Sequence, residues 1–147
     1  MKKFSFKFKI LTIVLLINSN VMASEYLTKG IKLFEKKQFE ESKILFERDL
    51  AFDPKSEKSY LYLAKIYRQI DNDAQQEINL KNVLLINPTN DEALYMLVIM
   101  RIKQSDYNEA RELINKFKLV CKSFCSKRNE IEEKLKKLTP ENEKNNN

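Results

Sequence analysis

Cys121 and Cys125 are the only cysteines of the chain, and the three residues between them, Lys122-Ser123-Phe124, decide what the pair can do. In an unbroken helix an i,i+4 pair sits near the outer limit of the Cα separation a disulfide accepts, whereas a turn at Ser123 brings the two sulfurs within reach. Three chemistries stay open: a structural disulfide, which an oxidising compartment favours, two free thiols, or a redox or metal role. The spacing differs from the C-x-x-C of thiol oxidoreductases, and two thiols in a chain without histidine make a poor zinc site. Catalysis finds no other foothold. The sequence has no Gly-rich phosphate loop and no Ser in a strained elbow, and its carboxylates are scattered among lysines in the manner of solvated helix faces. Nothing gathers a nucleophile, an acid–base pair or a metal. The expectation is a chain that is not an enzyme, with no catalytic residue, no metal and no cofactor.

Binding chemistry depends on how the remaining side chains are placed, and the placement follows from a period. Asp53-Pro54 and Asn87-Pro88 lie 34 residues apart, and other positions recur at that interval: Leu27, Leu61 and Tyr95; Tyr26, Tyr60 and Leu94; Phe46, Leu80 and Ile114; Gly30, Ala64 and Val98. A fixed period of this length signals stacked supersecondary units. One Gly, three Pro, no Trp and dense Lys, Glu, Leu and Ile fit an all-α protein with short loops. Apolar residues recur at helical spacing from Glu25 to about Lys36 and from about Phe39 to Phe52. The residue before a proline avoids the helical basin, so Asp53-Pro54 stops the second helix.

Ser56 is placed to cap a third helix running to about Ile70, and Asp71-Asn72-Asp73 is a turn. Asp73 with Gln76, Thr89 with Glu92, and Asp106 with Glu109 share the spacing of a capping box, which marks the starts of the next three helices. Beyond the third pair, Ser126 to Leu138 carries Ile131, Leu135 and Leu138 on one stripe, with Glu132–Lys136 and Glu133–Lys137 as i,i+4 ion pairs. A single apolar stripe with a wet outer face is what a terminal capping helix needs. Pro140 ends it, and a polar tail follows over 139–147.

On these residues the chain resembles the tetratricopeptide repeat (TPR) family, with repeats over about 24–56, 57–90 and 91–122 and a capping helix over about 126–138. Tyr60, Leu63, Ala64, Tyr67, Leu80 and Pro88 carry the likeness in the second repeat; Gly30, Phe39, Phe46 and Pro54 in the first; Tyr107, Ala110 and Ile114 in the third. The resemblance implies an α-solenoid of three helical hairpins. Small residues at Gly30, Ala64 and Ala110 let paired helices approach. Ser42 and Gln76 stand where Ala is usual, and Gln76 is expected to loosen its hairpin or turn outward. Lys122 replaces the closing Pro of the third repeat.

The resemblance also implies a binding groove lined by the first helix of each pair. Its residues here are Leu27, Ile31 and Phe34, then Leu61, Lys65 and Arg68, then Tyr95, Ile99 and Ile102. Apolar ends with a basic middle suit a peptide or helix with hydrophobic anchors and an acidic group, which Lys65 and Arg68 could hold by charge-assisted hydrogen bonds. The alternative is that the apolar residues fill seams and the cations are a solvated face. The five-residue carboxylate clamp of some relatives is missing, because the comparable places read Leu27, Ile31, Tyr62, Glu92 and Met96.

The N-terminus has the order of a secretory signal peptide over 1–23: Lys2, Lys3, Lys7 and Lys9, an apolar core from Ile10 to Ile17, then Asn18-Ser19-Asn20 and a small-residue ending at Ala23. The apolar core is shorter than the roughly 20 residues a spanning helix needs, so the mature form is expected to carry no integral membrane span. Losing that segment takes Lys+Arg from 27 to 23 against 21 acids, and the net charge from +6 to +2. A nucleic-acid partner, which needs a strongly basic stripe on the folded part, is not expected. The sequence thus reads as an exported, periplasmic scaffold that binds a peptide or helix of a cell-envelope protein during complex assembly. The alternatives are a self-associating structural module, homo-oligomeric through its open ends, and a redox-responsive binder using Cys121 and Cys125.

Overall fold

The structure is a computed structural model that describes residues 25–139. The expected leader and its cleavage point, and all of the C-terminal tail except Thr139, lie outside the described residues. Seven α-helices and no strand occur among the described residues: α1 over 25–35, α2 Phe39–Phe52, α3 Glu57–Gln69, α4 Asp73–Ile86, α5 Asp91–Lys103, α6 Tyr107–Val120 and α7 Arg128–Leu138, the last preceded by a 3-10 turn at Cys125–Lys127. The chain divides after Asp71 into two compact units.

The 34-residue period is written into the backbone at both kinds of turn. Among the described residues, Lys37, Asp71 and Ser105 are the non-glycine residues with positive φ, at 60°, 52° and 61°, and they are spaced by that same interval. Each closes the helix before it as a left-handed residue. At Lys37 and Ser105 the paired bonds of a Schellman close are present: Lys37 N to Phe34 O and Gln38 N to Leu33 O, then Ser105 N to Ile102 O and Asp106 N to Arg101 O. The other turn repeats too. Asp53 and Asn87 leave the helix at φ −126° and −131°, and the side-chain oxygen of each accepts the N–H two residues on, Lys55 and Thr89, at 3.1 Å. The Asx residue starts the turn, and proline at the next position holds it.

In the first unit α1 meets α2 at Gly30. A Cβ there would lie 2.8 Å from the Phe46 ring, and the Ser42 hydroxyl donates to the Gly30 carbonyl at 2.8 Å. Glycine and serine are therefore both consequences of one close helix crossing. Phe46, Leu63 and Ile66 form the core, with Leu27, Ile31, Phe34, Phe39, Leu50, Tyr62 and Tyr67 packed around it. Asp49 is 1% exposed and accepts the hydroxyl of the fully buried Ser59, which ties α2 to the first turn of α3.

In the second unit Leu94, Val98 and Ile102 of α5 interlock with Ala110, Ile114 and Phe117 of α6 and with Ile131 and Leu135 of α7. Burying side chains of this size contributes about 1.5–3 kcal/mol each. The terminal helix thus does what its single stripe demands, although Leu138 remains exposed. Glu132 pairs with Lys118 of α6 at 2.6 Å and approaches Arg128, so it is engaged across helices rather than in the expected pair with Lys136; Glu133 and Lys137 do approach, at 4.0 Å.

Two of the expected caps move by one residue. Asn72 and Asn90, not Asp73 and Thr89, are the N-caps, accepting from Gln75 N and Ala93 N. Asparagine holds the non-helical dihedrals at those positions, and the residue after it is already helical. Asp106 caps α6 as expected by accepting from Glu109 N, whereas Ser56 precedes α3 without a side-chain cap bond. Gln76 is 4% exposed, so it is packed inward rather than turned outward. No buried side-chain polar atom among the described residues lacks a partner.

Candidate functional site

In the first unit the expected groove residues fall into two groups. Leu27, Ile31 and Phe34 are half-buried on α1 and share the core contact described above. Leu61 is buried at 9% exposure, so its side chain is mostly withdrawn from any ligand, while Arg68 is exposed at the end of α3. Tyr62 joins the groups. Its ring stacks on Phe46 with centroids 5.1 Å apart and takes the edge of Phe34 at 5.1 Å and 77°. The Lys65 ammonium lies 4.8 Å from the same ring centroid. An aromatic face attracts a cation held at that distance, so Lys65 is oriented rather than freely solvated. Aliphatic, aromatic and cationic groups therefore meet on one face of α1 and α3. Tyr62 entered the expectation only as a clamp-equivalent position without the clamp's chemistry; the i,i+3 spacing to Lys65 sets the two on one side of a helix.

In the second unit Tyr95 and Ile99 are half-buried on α5, whereas Ile102 is 3% exposed and belongs to the core. The family resemblance put Ile102 in the groove; the packing of α6 against α5 takes it inside. Tyr95 is held on three sides. Its hydroxyl donates to Glu130 at 3.0 Å, its ring lies 5.8 Å from that of Phe124, and the Lys127 ammonium sits 6.0 Å from its centroid. Lys127 also pairs with Glu130, and these two donors hold the Glu130 carboxyl below its ordinary value, Lys127 first and Tyr95 second.

Cys121 and Cys125 are joined in a disulfide, with Cα atoms 5.2 Å apart, in the turn between α6 and the 3-10 segment. The turn wraps a carboxylate. Asp91 Oδ2, in the first turn of α5, accepts the backbone N–H groups of Lys122, Ser123 and Phe124 at 2.7, 2.6 and 2.9 Å. Burial pushes this carboxyl up, and the backbone donations together outweigh it and leave Asp91 below its ordinary value.

A second polar cluster crosses the unit. Arg101, buried on α5, grips both oxygens of Glu77 on α4 through its two terminal nitrogens, at 3.0 and 2.6 Å; its Nε reaches Glu109 on α6 and Nη1 reaches Gln104 at 2.7 Å. Hydrogen bonds from Arg101 and then Lys81 bring Glu77 down to about 2, and Glu77 in turn raises Arg101. The fork geometry of guanidinium fits two acids at once. This cluster fastens α4 and α6 to α5. The sequence offered one clue, a lone arginine in the otherwise apolar stretch from Leu94 to Ile102.

No family model matches the chain, and no curated protein matches it. Solved structures do. The first TPR domain of Spaghetti (RPAP3), bound to an HSP90 peptide, superposes with a TM-score of 0.70 at 17% identity over 80% of this chain and 93% of that one. The TPR-containing C-terminal domain of an FK506-binding protein from Plasmodium falciparum gives 0.69 at 21% identity, covering 82% of this chain and 90% of that one. PilF of Pseudomonas aeruginosa gives 0.64 at 17% identity over 80% of this chain and 52% of that one. The all-α fold of this chain is that of tetratricopeptide repeat solenoids.

Proposed function

We propose that this chain is a protein-binding scaffold, not an enzyme, whose ligand is a peptide or helix with apolar anchors and an acidic group. One observation carries the reading: the half-buried Phe34 of α1 meets the Tyr62 ring of α3, Ile31 packs against the same core, and the Lys65 ammonium lies over the Tyr62 ring. Apolar anchors of a ligand would bury against the aliphatic and aromatic side chains, and its acid would meet Lys65 and the exposed Arg68. A neighbour of similar fold described as bound to an HSP90 peptide supports a peptide-binding use of such a surface. The signal-peptide pattern of residues 1–23 supports export, with an envelope protein in the periplasm as the partner.

The test is affinity capture from the envelope fraction with the wild-type chain and with Lys65→Glu/Arg68→Glu. A partner recovered by the first and lost by the second is expected. Identical recoveries would remove the charged face from the account. N-terminal sequencing of the protein from the cell checks export, and an intact Met1 would refute it.

A second reading, self-association, is favoured by a specific observation. Leu85 on α4 and Leu119 on α6 are 82% and 87% exposed and occupy the same phase of the 34-residue period. Large apolar side chains left open at equivalent places are suited to a protein contact. Light scattering across a concentration series separates the readings, since a strictly monomeric chain leaves self-association without support.

A further inference from the structure

At the first two turns of this type, Asp53 and Asn87 bond back on their own loops and a proline follows, so position 54 or 88 has no N–H to donate. The third equivalent pair is Cys121-Lys122. Lys122 has the N–H that the prolines lack, and this group, with the next two, donates to the single oxygen Asp91 Oδ2. Three consecutive amides converge on one atom only when the backbone curls into a nest. The disulfide closes that curl at its two ends, and Cys125 is exposed to a reagent. Phe124, the last residue of the nest, carries the ring that lies against Tyr95. By contrast α7 is held independently, through the buried Ile131 and Leu135 and the Lys118–Glu132 pair.

We propose that Cys121–Cys125 is a thiol–disulfide switch: the bonded form locks residues 122–124 onto Asp91 and pins Phe124 against Tyr95, and reduction releases both while α7 stays docked. The reductant is a dithiol. Its thiolate attacks the exposed Cys125 sulfur, the S–S bond breaks, and Cys121 leaves as a thiolate that takes up a proton. The second thiol of the reagent then displaces Cys125, which is protonated in turn; two electrons pass to the protein and the reagent leaves as its own disulfide. The lock stands without any statement about partners. Its consequence for binding, that the Phe124 side of Tyr95 opens when reduced while the hydroxyl stays on Glu130 of α7, rests on the reading of that face as a binding surface.

The experiment is amide hydrogen exchange by NMR on the full chain, oxidised and after treatment with dithiothreitol. Removing a five-residue covalent loop corresponds to about a 30-fold change in the closing equilibrium. Exchange at Lys122, Ser123 and Phe124 should therefore quicken by about that factor, with the Tyr95 ring resonances moving alongside, while the amides of Ile131 and Leu135 hold their rates. Asp91→Asn in the oxidised chain, which keeps the disulfide and weakens the acceptor, should quicken the same three amides. Equal exchange at 122–124 in the two redox states would overturn the proposal, and so would an equal rise throughout α7. Neither result depends on a partner, so a failure of the switch is distinct from a failure of the binding reading.

Discussion

Replacing Arg101 by Met keeps most of the buried stem and removes the charge that holds three helices together. The Glu77 carboxyl lies at about 2 against an ordinary 4.5, a difference that corresponds to about 3 kcal/mol. Arg101 supplies the largest part and Lys81 a smaller one. Glu109 is 43% exposed in its side chain, so water screens that arm and it adds little. Breaking a fully buried pair costs about 3–5 kcal/mol; with Glu77 partly wet and still paired to Lys81, about 2–3 kcal/mol is expected for Arg101→Met. The sign of the pH dependence follows from the depressed carboxyl. Glu77 contributes stability that is complete above its unfolded value of 4.5 and is lost as pH falls toward about 2. Urea unfolding followed by circular dichroism, at neutral pH and at steps down to about pH 2, measures both effects. The gap between wild type and variant should be widest at neutral pH and close as Glu77 is protonated. A gap under about 1 kcal/mol at neutral pH, or one that does not change with pH, would refute the reasoning.

Three further outcomes follow from the packing. Gly30→Ala sets a methyl group 2.8 Å from the Phe46 ring; overpacking of about 1–3 kcal/mol outweighs the helix-propensity gain of about 1 kcal/mol, so thermal unfolding should move down, and Phe46→Leu should mask the effect in a double-mutant cycle. Asp49→Ala leaves the buried Ser59 hydroxyl without its acceptor and should cost about 1–3 kcal/mol in urea unfolding. Ser105→Gly relieves a left-handed residue at φ 61° and should stabilise by roughly 0.5 kcal/mol after the flexibility glycine adds to the unfolded chain; a loss of stability would show that the turn is unstrained.

What the sequence made legible is what a one-dimensional period can carry. Asp53-Pro54, Asn87-Pro88 and the recurrent apolar phases located the helices to within a residue or two, because each hairpin must present the same face to its neighbours. Caps were less legible, since Asn72 and Asn90 each adjoin another good capping residue and the choice depends on which of the two leaves the helical basin. On α1 and α3, Leu27, Ile31 and Phe34 are half-buried and Arg68 is exposed, whereas Leu61 is buried. Leu61 and Ile102 were placed in the groove by the family resemblance, which carries positions and not the packing of this chain's own side chains, and both are buried here. The Arg101 cluster left only the trace of a lone arginine in an apolar stretch, and the Asp91 nest left none. Glu77 lies 24 residues from Arg101 and Phe124 lies 33 from Asp91, and hydrogen bonds across such separations leave no local pattern.

The central claim, that the face of α1 and α3 receives another protein, is tested most directly by placing a photocrosslinking amino acid at position 68 in the cell and, as a control, at the exposed Glu47 on α2. The account predicts a discrete crosslinked partner from position 68 and none from position 47. No crosslink from position 68, or the same product from both, would contradict it.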